Sequence, residues 1–402
     1  MKTKSRIEDL AIFGAKPAFE ERLHVGRPNI GHREHFLERV NAILDQRWLT
    51  NNGPCVQQFE RTVAKFLGVR HCIAVCNATV ALELAIRALR MTGEVIVPSF
   101  TFVATAHALQ WQGITPVFCD VLSSTHSIDP ERVEASITSR TTGIIGVHLW
   151  GKPCTVEALA DIAHRRGLEL MFDAAHAFGC SHQGRMIGNF GRAEVFSFHA
   201  TKFLNTLEGG AITTNDDELA ASMRMMKNFG FAGYDKVVCL GTNGKMNEIS
   251  AAMGLTGLES MDDFIEHNRR NYRQYLEELE NLPGLHILLY DENEKCNYQY
   301  IVVEVDEAAS LLSRDELMAV LWAENVLARR YFYPGCHQME PYASCSPDAG
   351  ANLPVTEKLS RCVLELPTGT SVGFPEIRLI SHIICFALTH SAMIKERMGK
   401  RI

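Results

Sequence analysis

The sequence predicts an α/β fold, with a large domain around a mostly parallel, mixed sheet and a smaller α+β C-terminal domain. Two observations carry this expectation. From about Val56 to Thr214, apolar runs of four to six residues alternate with longer amphipathic stretches, the pattern of repeated βα units. The runs themselves lack polar–apolar alternation, as expected of strands covered by helices on both faces.

The predicted strands are CIAVC, EVIVP, TPVFCD, TGIIGVHL, LELMFD and EVFSF, and the predicted helices span 56–67, 79–90, 103–112 and 155–166. A charged helical stretch, 256–282, reads as the connection to the smaller domain, where YQYIVVEV and SRDELMAVLWAENV suggest a strand and a helix. The expected organisation is an N-terminal arm with an early active-site loop (1–30), a large domain (31–255), and the connecting helix with the smaller domain (256–402).

At 402 residues, 46% hydrophobic and 22% charged, the chain is long enough to bury a large core divided between two domains. A formal charge of −7, with scattered lysines and arginines, argues against nucleic acid as a partner. No apolar stretch approaches the roughly 18 residues of a membrane span, and the opening MKTKSRIEDLAIFG carries acids where a signal peptide is apolar. A cytoplasmic protein without a membrane partner is expected. The 12 cysteines and 16 histidines show neither CxxC nor HxxxH spacing, so no metal is expected, and the cysteines read as reduced, buried small hydrophobes.

In parallel sheets chemistry gathers at the carboxyl ends of the strands. There FSFHATKFLNTLEGGA (196–211) places Lys202 just beyond an apolar strand. A lysine so placed is either a nucleophile or a solvated surface charge. LELMFDAAHAFG ends a buried strand on Asp173, whose carboxylate needs a cationic or hydrogen-bonding partner or serves as a helix N-cap. A protonated pyridine nitrogen would be such a partner. In CNATVAL (76–82) a strand end runs into a helix start, where backbone N–H groups and the Thr79 hydroxyl suit a phosphate, although the same residues are ordinary caps.

Taken with RWLTNNGP (47–54), NATVAL (77–82), VPSFTFVATAHAL (97–109), VHLWGKP (147–153), FDAAHAFG (172–179), SFHATKFLNTLEGGA (197–211) and GTNGKMNEISAAMGL (241–255), the chain resembles the DegT/DnrJ/EryC1/StrS family of sugar aminotransferases. That resemblance implies the aspartate aminotransferase-like fold (fold type I) and pyridoxal 5'-phosphate (PLP), cycling through pyridoxamine phosphate. It implies Lys202 as the Schiff-base (aldimine) lysine and proton-transfer base, Asp173 on the pyridine nitrogen, and His176 near the ring's O3′. Phe102 would stack on the cofactor, Ala78, Thr79 and Ser197 would hold its phosphate, and Asn243 would reach the phosphate of a neighbouring subunit, so a homodimer with shared active sites is implied.

The phosphate segment often reads Ser-Gly-Thr in that family and here reads Asn77-Ala78-Thr79, with the threonine kept. A dehydrating relative has histidine in place of the lysine, so Lys202 favours transamination. The implied substrates are an amino-acid donor, L-glutamate, and a nucleotide-linked keto sugar aminated at C4 of a dTDP-4-keto-6-deoxyhexose. ENVLARRYFYPGCHQMEPY (324–342) carries the C4 preference, and Thr50, Asn52, Arg330, Tyr331, Tyr333 and His337 are the substrate-side candidates. The alternatives are a 3-ketosugar aminotransferase and a non-catalytic regulatory relative.

Overall fold

The computed structural model describes residues 4–345 and 349–399. Its central sheet holds seven strands: β1 (His71–Val75), β2 (Glu94–Pro98), β3 (Thr115–Cys119), β4 (Thr141–Val147), β5 (Glu169–Asp173), β6 (Ala193–Ser197) and β7 (Gly210–Thr214). They run in the order β1-β7-β6-β5-β4-β2-β3. β7 is antiparallel to both neighbours and the other pairings are parallel. The sheet is therefore mostly parallel, as the apolar runs predict, and is made mixed by β7. β7 was not among the predicted strands, because Gly-Ala-Ile-Thr-Thr carries little apolar signal.

Four predicted helices form at α1 (Pro54–Leu67), α2 (Ala78–Ala88), α3 (Ala104–Gln110) and α4 (Val156–Arg166). α1 begins with proline at its first turn and borrows the carboxylate of Glu248, which accepts from the N–H groups of Cys55 (2.7 Å) and Val56 (3.1 Å). The stretch expected as one helix over 256–282 instead divides at Ser260 into α5 (Glu248–Glu259) and α6 (Met261–Leu279).

The C-terminal part contains an antiparallel sheet of β8 (Leu285–Ile287), β9 (Ile301–Val305) and β10 (Val363–Leu366). Helices α7 (Arg314–Ala323) and α8 (Phe374–Thr389) pack with it around Tyr275, Val303, Leu321, Leu364 and Ile380, all fully buried. Residues 4–30 join this same core through Leu10, Phe13, Phe19 and Leu23, and Leu23–His24 pairs with Val326–Leu327. Buried Glu324 fastens the segment by accepting from Lys4 Nζ (2.9 Å) and from the N–H groups of Ala11 and Ala18 (both 2.7 Å).

Six of the cysteines are buried, five are intermediate and Cys345 is exposed, so only half fit the expectation of buried small hydrophobes. Among the described residues no single helix is long and apolar enough to cross a membrane.

Candidate active site

The carboxyl ends of β1, β4, β5 and β6, and the amino end of antiparallel β7, meet at one edge of the sheet. A cavity of about 310 Å³ opens there, lined by Asn77, Thr79, Phe102, Asp173, His176 and Lys202 among others. Its size suits a cofactor-sized ligand.

Asp173 closes β5 and is 6% exposed. Its carboxylate accepts from the Thr105 hydroxyl (2.8 Å) and the Ala175 N–H (3.1 Å) and makes no ion pair within 4 Å among the described residues. Thr105 is held in turn by Thr101 at 3.2 Å. Burial pushes the Asp173 carboxyl above its ordinary range, against these donors and the charge of Lys202. The carboxylate thus lacks the cation that a protonated ring nitrogen would bring.

Lys202 lies in the turn after β6, its N–H donating to His199 O at 2.9 Å. Burial pulls its ammonium down to about 8, opposed by the charges of Asp173 and Glu365 and assisted by Arg329. A lysine so tuned exchanges its proton near neutral pH. Asn29 and Gly26 brace the segment: Asn29 Nδ2 donates to Phe203 O (3.1 Å), and a side chain on Gly26 would meet Thr201 Cβ at 2.9 Å. The early loop expected near the site therefore packs beside the lysine.

Asn77 caps α2, accepting from Val80 N–H at 2.9 Å. The first N–H groups of the helix at Ala78 and Thr79 are left for an anion. Glycine is required beneath them, since a Cβ on Gly210 would sit 2.8 Å from Ala78 N and 2.9 Å from Phe196 O. Ser197 also lines this end of the cavity. A helix N-terminus, a hydroxyl pair and a close backbone floor fit a phosphate, so the donor set as a whole fits PLP.

Phe102 is 57% exposed over the cavity, which excludes a core role and leaves a ring face to be covered. His176 is buried, and burial pulls its pKa well below the usual imidazole range, so the ring is neutral. It stacks on Tyr300 at 4.3 Å.

The substrate-side candidates divide. Tyr331 lines the cavity beside Arg329, whose guanidinium lies 4.6 Å over the Tyr331 ring. Arg330 instead pairs with Asp315 at 3.1 Å and covers Tyr333 at 4.1 Å, away from the cavity. His337 also lies off the cavity, both ring nitrogens being engaged by Ser99 Oγ (2.7 Å) and Glu357 Oε1 (2.9 Å). Thr50 and Asn52 are exposed on the loop before α1 and do not line it. Asn243 stands on another surface, paired with Asn228 and accepting from Lys245 Nζ at 2.7 Å. Sequence reasoning missed Thr105, whose hydroxyl meets Asp173 only where the first turn of α3 comes to the end of β5, and Glu365.

The fold and this site define the chain as a PLP-dependent aminotransferase. Residues 31–384 match the model of the DegT/DnrJ/EryC1/StrS aminotransferase family, and the chain belongs to that family. It is 40% identical over 323 residues, 80% of this chain and 88% of the relative, to the dTDP-4-amino-4,6-dideoxy-D-glucose transaminase of Shigella dysenteriae. Identity is 36% over 357 residues to the Escherichia coli transaminase of the same name, covering 88% of this chain and 95% of that one. Among solved structures, DesI in the presence of its TDP-sugar product aligns at TM-score 0.93 and 48% identity, over 98% of this chain and all of the other.

Proposed function

We propose that the chain moves an amino group from L-glutamate to C4 of a dTDP-linked 4-keto-6-deoxyhexose. The observation that carries this reading is the near-complete likeness to DesI, which was solved with a TDP-sugar product, at 48% identity. The names of the Shigella and E. coli transaminases point to the same sugar carbon. A doubly charged diphosphate does not cross membranes unaided, so the cytoplasm is the compartment assigned to the reaction.

PLP supplies the electron sink that lets a carbon beside the transferred nitrogen lose its proton. Asp173 would keep the ring nitrogen protonated, His176 would lie near the ring's O3′, and Phe102 would cover one face. Ala78, Thr79 and Ser197 would hold the phosphate. Lys202 Nζ would hold the cofactor at rest and carry the proton between the two carbons.

Arg329 is a cation of the cavity lining whose guanidinium has no ion pair or side-chain hydrogen bond among the described residues and lies over the Tyr331 ring. It is assigned to the donor's carboxylate. Arg329→Met is expected to raise the KM for glutamate about 10- to 100-fold, the cost of one charge-assisted pair, with the sugar KM changed less than threefold. Steady-state kinetics with each substrate varied in turn checks this.

Asn243 is assigned to the site of a second copy, because the irregular segment leading to it carries the exposed side chains Phe229, Tyr234, Val238 and Leu240 that a dimer would cover. Sedimentation should show a dimer.

The deciding experiment supplies glutamate with dTDP-linked 4-keto and 3-keto sugars and locates nitrogen in the product by NMR. Amination at C4 is expected. Product only from the 3-keto sugar would overturn the assignment of the carbon, and PLP-loaded protein inert to both would favour a non-catalytic role.

A further inference from the structure

Behind the cavity wall lies a carboxyl that the reaction has not yet used. Glu365, in β10, stands opposite Val302 of β9 and exchanges both backbone hydrogen bonds with Arg329, at 3.0 and 2.8 Å. Residues directly opposite on paired strands point to the same face, as do residues two apart on one strand. Arg329, Glu365, Val302 and Tyr300 therefore share one face. That face is turned to the cavity, because Arg329 lines it and Tyr300 stacks on His176.

Glu365 is 2% exposed, and its Oε2 has no hydrogen-bond partner. The Tyr300 hydroxyl, on the same face, is also unpartnered. A buried, unpaired carboxylate is costly and calls for a cation or a proton. Arg329 does not pair with it, its guanidinium lying instead on Tyr331. Lys202 is the other cation whose charge reaches Glu365.

We propose that Glu365 is a positioning residue for Lys202: when the lysine is released from the cofactor, its ammonium docks on Glu365 Oε2 and the two groups share one proton. In that exchange an Nζ–H bond of Lys202 breaks and an O–H bond forms on Glu365. The lone pair left on nitrogen takes the carbon-bound proton of the substrate, and the reverse transfer restores the pair. No redox change occurs, and the pair is neutral as ammonium–carboxylate or as amine–acid. The groups facing Lys202 are Asp173, Glu365, Arg329 and His176, and those facing Glu365 are Lys202, Arg329, Tyr300 and Tyr331. Burial raises the Glu365 carboxyl and lowers the Lys202 ammonium, so the two shifts converge on one another. The inference rests on the family's lysine chemistry and stands whichever sugar is the substrate.

The test measures Lys202 alone. Cofactor-free wild type, Glu365→Gln and Glu365→Asp are pulse-labelled with acetic anhydride over a pH series, and the acetylated Lys202 peptide is quantified by mass spectrometry. Loss of the anion in Glu365→Gln is expected to lower the labelling midpoint by about one pH unit or more, and Glu365→Asp to recover at least half of that shift. Gln keeps the volume and removes a buried charge, so the variant should fold. Glu365→Leu, which needs no hydrogen-bond partner, repeats the measurement if it does not. A midpoint superimposable on that of wild type in the folded variant would overturn the proposal.

Discussion

Lys202→Ala is expected to lower kcat by about 10⁴-fold or more and to remove the visible absorbance of lysine-bound PLP. Lys202 is the lysine that lines the cavity, and the other basic side chains there are poorly placed to replace it. His176 is buried, held neutral and stacked on Tyr300. His199 is half-exposed at the mouth, with Glu208 at 3.6 Å and Thr201 at 2.9 Å. The measurement is single-turnover conversion of the keto sugar by protein loaded with pyridoxamine phosphate, which separates proton transfer from cofactor attachment. Added methylamine should restore part of the rate, because a small amine can occupy the vacated space and carry the proton. A variant within tenfold of wild type would remove Lys202 from the proton path.

The part of this site legible in the sequence is the part carried by strand ends. Asp173, Lys202 and Asn77–Thr79 each follow an apolar run directly, so locating the strand located the residue. Glu365 belongs to a short strand in the C-terminal part, and it shares a face with cavity-lining Arg329 only because β10 pairs with that residue, a contact that no local pattern reveals. Thr105 is hidden for a related reason: in VATAHALQ it reads as one more small helical residue, and its hydroxyl gains a role only where the start of α3 comes beside the end of β5. The motif ARRYFYPGCH was informative as a segment but not residue by residue. Adjacent positions on an extended chain face opposite sides, so Arg329 and Tyr331 enter the cavity while Arg330 turns out to Asp315. Histidine 337 illustrates the converse, a polar residue whose both nitrogens are consumed by neighbours distant in sequence.

For Asp173→Asn the cofactor-free and cofactor-loaded proteins should respond in opposite directions. In the cofactor-free protein burial holds the carboxyl above its ordinary range, because desolvation outweighs Thr105, Ala175 and Lys202. A raised carboxyl costs stability only when ionised. The cost is absent below the unfolded-state value of about 3.9, grows as pH rises above it, and is complete above the folded value. Asparagine removes that cost while Thr105 retains an acceptor, so the melting temperature of the cofactor-free variant near pH 8 should equal or exceed that of wild type. With PLP bound the carboxylate gains its cation, and the same substitution now removes the partner of the ring nitrogen. Cofactor-induced stabilisation should shrink, and kcat should fall by about 10²- to 10³-fold, the scale of losing one preorganised electrostatic contact in a buried site. Thermal melts with and without PLP, beside steady-state rates, make the comparison. A variant destabilised equally in both forms would mean that Asp173 serves the fold as a cap on the turn after β5. The opposite signs follow only if the buried charge is kept for the cofactor.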